Sequence, residues 1–257
     1  MNVRELYRAL EYRIPRSLSC DWDNDGLMCC PDSSREVKRV LIALDGTSDA
    51  VDYAIKGGYD AIITHHPFIF KGVKSLDDEG GVSAKAIFLI KSGISVMSFH
   101  TRLDALDGGV NDKLCELLGL KNVSPMLEGD IPIGRIGELD ENMNAQEFAS
   151  KVKAALDAPF VLLADVGIPA RRVAVLGGGG KDFVGIASAY NADTFVSGRL
   201  DYHPMTDTKD SAHPINLIEA GHFYTENPVC QVLADMIFEI DQNIRCDIFN
   251  SNVIKAI

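Results

Sequence analysis

Apolar runs and apolar positions at helical spacing alternate along this chain. Val3, Leu6, Tyr7 and Leu10 recur on one helical face, which predicts a helix over residues 3–13. "VKRVLIALDG" predicts a buried strand. "SDAVDYAIKGG" predicts a helix with Ser48 as N-cap and Gly57 near its end. "YDAIITHHP" predicts a second strand, stopped by Pro67. "FIFKGVKSLDDEGG" has the composition of a loop or lid, and residues 82–92 predict a helix. "GISVMSFHTRLDA" predicts a third strand running into a loop, and "GGVNDKLCELLGL" a helix ended by glycine. This alternation predicts an α/β fold with a mostly parallel sheet covered by helices.

The second half repeats the style. "IPIGRIGELD", "FVLLAD", "RRVAVLGGGG" and "ADTFVSG" predict strands. "NAQEFASKVKAALDA" predicts a helix capped by Asn144, and another helix is expected near 182–190. "NPVCQVLADMIFEI" predicts a long helix and "CDIFN" a last short strand. A lobe boundary is expected within "NVSPMLEGDI", dividing residues 1–125 from 126–257, although the lobes can interdigitate. "HTRLDA" and "SGRLDYH" both follow apolar strands, a faint echo that raises the idea of two related lobes.

Charge narrows the partners. Acidic residues number 37 against 25 basic ones, a formal net charge of −12. Such a surface repels phosphate backbones and anionic membranes, so no nucleic-acid or membrane partner is expected. "MNVRELYRALEYRIP" lacks the apolar core of a signal peptide, and no run approaches the ~18 apolar residues of a membrane span. The six cysteines form no C-x-x-C pair. They are expected to be reduced thiols in a cytoplasmic protein. The adjacent Cys29 and Cys30 have the wrong spacing for a zinc knuckle.

In an open α/β sheet, ligands collect beyond the carboxyl ends of the strands. The polar residues expected there are His65 and His66 after "AIIT", then His100, Thr101 and Asp104 after "ISVMSF", then His203. "GHFYTE" adds His222 and Glu226, whose i, i+4 spacing places both on one face if a helix begins by residue 222. His65, His66, Asp104, His222 and Glu226 form an imidazole and carboxylate set suited to Zn, Fe, Mn, Co or Ni. Five side chains exceed what one tetrahedral ion uses. Adjacent histidines in an extended segment face opposite ways, so His65 and His66 are expected to serve two neighbouring ions. The blander alternatives are real: a lone histidine such as His213 is ordinarily a surface residue, and a His/Glu pair at this spacing is also an ordinary helix contact. Only convergence at one sheet edge separates a site from scattered polar residues. "VAVLGGGGKDF" fails the Walker A template because Asp182 follows Lys181, and it is read as a tight turn with close packing.

Four ordered motifs resemble the NIF-three-like family, which includes the YbgI-like proteins and the GTP cyclohydrolase I type 2 homologues. They are "WDNDGL", "THHPFIF", "HTRLDALDGGVND" and "GHFYTE". The resemblance implies two α/β lobes around a central cleft holding two divalent ions, and assembly into a hexameric ring. It implies metal ligation by His65, His66, Asp104, His222 and Glu226. His100 would line the site as a ligand or proton carrier. The chain is too short for the domain that some members insert between the lobes. Arg199 and Tyr224 depart from the family pattern near the site. The function implied is a metal-dependent hydrolase of a small nucleotide- or pterin-like heterocycle. The rival is a non-catalytic metal carrier, regulator or scaffold. Ready release of the ions to a chelator would mark the carrier.

Overall fold

The apolar runs become strands because their side chains are covered on both faces, as in parallel sheets. Every position of Ala61–Thr64 and of Ser95–Ser98 is buried. The computed structural model describes residues 1–257 and contains eleven strands in two sheets. In chain order they begin with β1 (Gly26–Cys29), β2 (Arg39–Ala43), β3 (Ala61–Thr64), β4 (Ser95–Ser98), β5 (Lys121–Glu128) and β6 (Ile131–Met143). There follow β7 (Leu162–Ala164), β8 (Ala170–Gly179), β9 (Thr194–Arg199), β10 (Asn216–Glu219) and β11 (Arg245–Phe249). The chain is α/β, with two units that each hold one sheet and its helices.

The first unit comprises Met1–Leu103 and Val229–Val253. Its sheet has the order β1-β4-β3-β2-β11. The four strands β4, β3, β2 and β11 run parallel, and only β1 is antiparallel. Leu41, Val51, Ile62, Leu89 and Val96 form its core, all almost wholly buried. The helix Ser48–Gly57 starts one residue earlier than expected in its cap. Thr47, not Ser48, accepts from the Ala50 amide at 3.2 Å. A simple split at residue 125 is not how this unit is built. The helix Val229–Ile240 and β11 return to it, because β11 pairs with β2 from Arg245↔Arg39 to Phe249↔Ala43.

The second unit comprises Asp104–Pro228 and Ile254–Ile257. Its sheet has the order β5-β6-β8-β9-β10-β7. Only β8, β9 and β10 run parallel, so the expectation of a mostly parallel sheet does not hold here. For the first pair the reason is local. β5 and β6 are joined by a tight turn through Gly129 at φ +60°, and so short a connection forces antiparallel pairing. The segment "NVSPMLEGDI", expected as a boundary, is mostly strand β5 and this turn. Leu118, Phe148, Val152, Val173 and Val175 fill the core, and Asn144 caps its helix as expected, accepting from Gln146 and Glu147 amides.

Candidate metal centre

Parallel strands place the residues that follow them along one edge. In the first unit β2, β3 and β4 are neighbours, so Asp45, His65–His66 and Phe99–His100 emerge side by side. Backbone bonds carry the order past the strand ends: His66 N donates to Leu44 O and Phe99 N to Thr64 O, both at 3.0 Å. Two buried hydroxyls fix the bend that follows β3. Thr64 donates to the His66 carbonyl at 2.7 Å. Ser98 lies 2.8 Å from the Thr64 hydroxyl and accepts from the Phe68 amide at 3.1 Å. Because His65 and His66 lie in this bend, strand alternation does not apply to them, and their ring centroids are 5.1 Å apart. They join His100, with one ring nitrogen of each histidine within 4.8 Å of those of the other two.

All three rings are oriented the same way chemically. Nδ1 of His65 lies 3.0 Å from the Phe99 carbonyl, Nδ1 of His66 2.7 Å from Asp45 Oδ1, and Nδ1 of His100 2.9 Å from Asp23 Oδ1. A carbonyl or carboxylate can only accept, so each Nδ1 carries the hydrogen and each Nε2 is left with its lone pair. Carboxylates or carbonyls behind ligating imidazoles are the usual support of a metal site. The donor set therefore fits a borderline divalent ion. Asp23 and Asp45 are partners of these rings that sequence reasoning missed. Asp23 was legible only as part of a turn-rich motif, and Asp45 only as the residue two past a strand.

Asp23 is anchored strongly. Burial would raise its pKa, but hydrogen bonds from His100 and Thr101 outweigh this and hold it at about 2. Its Oδ2 takes the Thr101 amide at 3.1 Å and the Thr101 hydroxyl at 2.6 Å. Asp25 completes the loop by accepting from the His100 amide at 3.1 Å and from Arg102 Nε at 2.9 Å. Beside His100 stand two exposed aromatic rings, Trp22 and Phe70, 6.1 and 6.4 Å away between centroids. The thiols take no part in this cluster. Burial pushes Cys29 up, Cys246 to about 11, and Cys115 and Cys230 to about 12.

In the second unit the helix His222–Glu226 begins as the spacing required, and His222 Nε2 meets Glu226 Oε2 at 2.9 Å. Glu226 is buried while His222 is half-exposed. The glycine run now has a physical cause. Gly178 sits at φ +69°, and a methyl group there would collide with the Glu226 carboxylate. Its amide donates to Thr225 Oγ1 at 3.1 Å, so the run is packing space for the His/Glu helix, as the close-packing interpretation holds. Asp104 lies in the helical turn Thr101–Ala105, with its carbonyl accepting from Asn111 at 3.0 Å. His203 stands exposed on the helix Tyr202–Asp207, and His213 is exposed.

The two unusual residues separate. Tyr224 packs against the core of the second unit. Arg199 instead lines a groove of about 790 Å³ together with His222, and pairs with Asp201 at 2.6 Å. The echo between "TRLDA" and "GRLDY" does not extend to environment: Arg102 is wholly buried on Asp25, whereas Arg199 is exposed.

The family pattern for Duf34/NIF3 (NGG1p interacting factor 3) matches residues 1–256. A Clostridium perfringens protein named GTP cyclohydrolase 1 type 2 homolog is 31% identical over 245 residues, spanning 93% of this chain and 92% of its own. A Clostridium acetobutylicum protein of the same name is 33% identical over 240 residues, spanning 91% and 88%. A hypothetical protein of Staphylococcus aureus with a solved structure superposes at a TM-score of 0.89 and 29% identity, over 100% of this chain and 99% of its own. Agreement of sequence and fold over the whole length makes this chain a member of the Duf34/NIF3 family.

Proposed function

We propose that the chain is a metal-dependent hydrolase of small nucleotide- or heterocycle-like molecules. In this proposal His65, His66, Asp104, His222 and Glu226 hold two divalent ions, drawn from Zn, Fe, Mn, Co or Ni, and His100 lines the same site as a further ligand or a proton carrier. The supporting observation is the three-histidine cluster, in which every Nδ1 is held by a fixed acceptor. The name carried by the Clostridium relatives supports a nucleotide as the substrate class.

Divalent ions in such a site lower the pKa of a bound water toward neutrality and polarise a substrate oxygen. The chain's own residues do the rest. Asp45 and the Phe99 carbonyl fix which nitrogen His66 and His65 present. Asp23 stabilises the imidazolium of His100 when Nε2 takes a proton, and releases the ring unchanged when the proton leaves. The proposal includes assembly into a ring of six, by family resemblance, and a cytoplasmic location, from the cysteine usage. No helix is long and apolar enough to cross a membrane.

The test is a turnover screen of metal-replete protein on nucleotides, phosphoesters and cyclic amides, with His65→Ala beside it. Turnover that disappears in His65→Ala supports the hydrolase. Silence across the panel rejects it, and ready loss of the ions to a chelator would then identify a carrier.

A further inference from the structure

A groove of about 460 Å³ opens beside His66 within the first unit. That volume suits a small molecule. Thr47, Phe68, Phe70, Lys71 and Lys85 line it. Two lysines here are notable in a chain of net charge −12. Lys85 reaches from the helix Gly81–Ser92 and is bonded not to a carboxylate but to the Gly46 carbonyl, at 2.5 Å. Its ammonium lies 5.2 Å from the centroid of Phe68. Burial lowers its pKa, and the charge of Asp45 offsets this only in part. The carboxylate of Asp45 is itself turned to His66 at 2.7 Å. The groove thus presents two cations and apolar walls, with its one carboxylate bonded to a histidine.

We propose that this groove is a phosphate subsite, in which Lys85 and Lys71 hold the phosphate of a phosphorylated substrate whose reacting end lies at His66. A phosphate dianion matches two ammonium groups in charge, where a single carboxylate needs only one. The buried Phe68 ring beside the Lys85 ammonium excludes water from one side of the contact, which strengthens it. The assignment of the reacting end rests on the hydrolase proposal. The phosphate contact does not.

Inorganic pyrophosphate is titrated calorimetrically into the full chain as purified, with the metal content of every sample measured. Lys85→Gln and Lys71→Gln are each expected to weaken binding about tenfold at unchanged metal content. Lys71 is exposed in its loop, so Lys71→Gln reads the contact without risk to folding. Equal affinity in both lysine variants and wild type overturns the proposal, as does a wild type that binds no pyrophosphate. A wild-type affinity lost in His65→Ala but kept in both lysine variants places the phosphate on the metal ligands and also overturns it. Failure of the turnover screen leaves these expectations intact, so the two proposals fail separately.

Discussion

Asp23→Asn tests how far the carboxylate behind His100 governs ligation. The Asp23 side chain is 0% exposed and accepts four hydrogen bonds. One oxygen takes His100 Nδ1 at 2.9 Å and the Asn24 amide at 2.8 Å, and the other takes the amide and hydroxyl of Thr101 at 3.1 and 2.6 Å. Asparagine keeps one acceptor and replaces the other with a donor. If the amide nitrogen faces Thr101, it opposes an N–H, leaving a buried donor unmet at a cost of about 1–3 kcal/mol. If it faces His100, Nδ1 must become the acceptor, the hydrogen moves to Nε2, and that nitrogen can no longer ligate. Orienting partners of this kind are worth about 10- to 100-fold in metal affinity, or about 1.4–2.8 kcal/mol. Competition against a chromophoric chelator measures the affinity, and urea denaturation the stability. Asp45→Asn serves as the comparison. The Asp45 side chain is 41% exposed, so the smaller effect is expected there. Wild-type metal affinity and wild-type stability in Asp23→Asn would refute the reasoning.

Three further expectations concern the framework. Arg135→Met removes a guanidinium that is 2% exposed and bonded at 2.9 Å to both oxygens of Asp112, so unfolding by urea should show a loss of about 3–5 kcal/mol; a loss under 1 kcal/mol would contradict this. Gly178→Ala places a methyl in the left-handed region against Glu226, and a thermal melt should show destabilisation beyond the ~1–2 kcal/mol of the backbone alone. An unchanged melting temperature would mean the glycine run is not packing space. Asp60 is raised by burial but held below its ordinary 3.8 by the amides of Lys38 and Arg39 and by Arg35, at 2.9–3.1 Å. A depressed carboxylate stabilises the fold above its ordinary pKa and loses that contribution as acid protonates the folded state, so stability should fall as pH drops below about 4. Asp60→Asn should flatten that part of the urea-midpoint profile, and an identical slope would exclude Asp60 as a source.

Local chemistry decided what was legible. His65 and His66 stood out because two imidazoles at the end of an apolar strand have few structural uses, and His100 for the same reason. The close packing of the glycine run was also readable, and so was the shared face of His222 and Glu226 on condition of a helix there. Asp23 and Asp45 were not, because a carboxylate becomes an orienting partner only when strands far apart in sequence lie side by side. β1 was hidden because it begins in the last two residues of polar "DWDNDGL", where a turn signal outweighs a four-residue strand. β5 was hidden because most of its positions are exposed and offer no apolar run. The mixed direction of the second sheet comes from three antiparallel pairs, of which only β5–β6 follows from a tight turn, and no periodicity records the other two. The return of β11 to the first sheet is a pairing over about two hundred residues of chain, beyond any local pattern.

The most direct measurement is elemental analysis of the purified chain beside His65→Ala and Glu226→Gln. The ligand set proposed here predicts about two divalent ions per wild-type chain and a clear loss in both variants. Wild-type protein that carries no transition metal, or variants that retain the full complement, would contradict it.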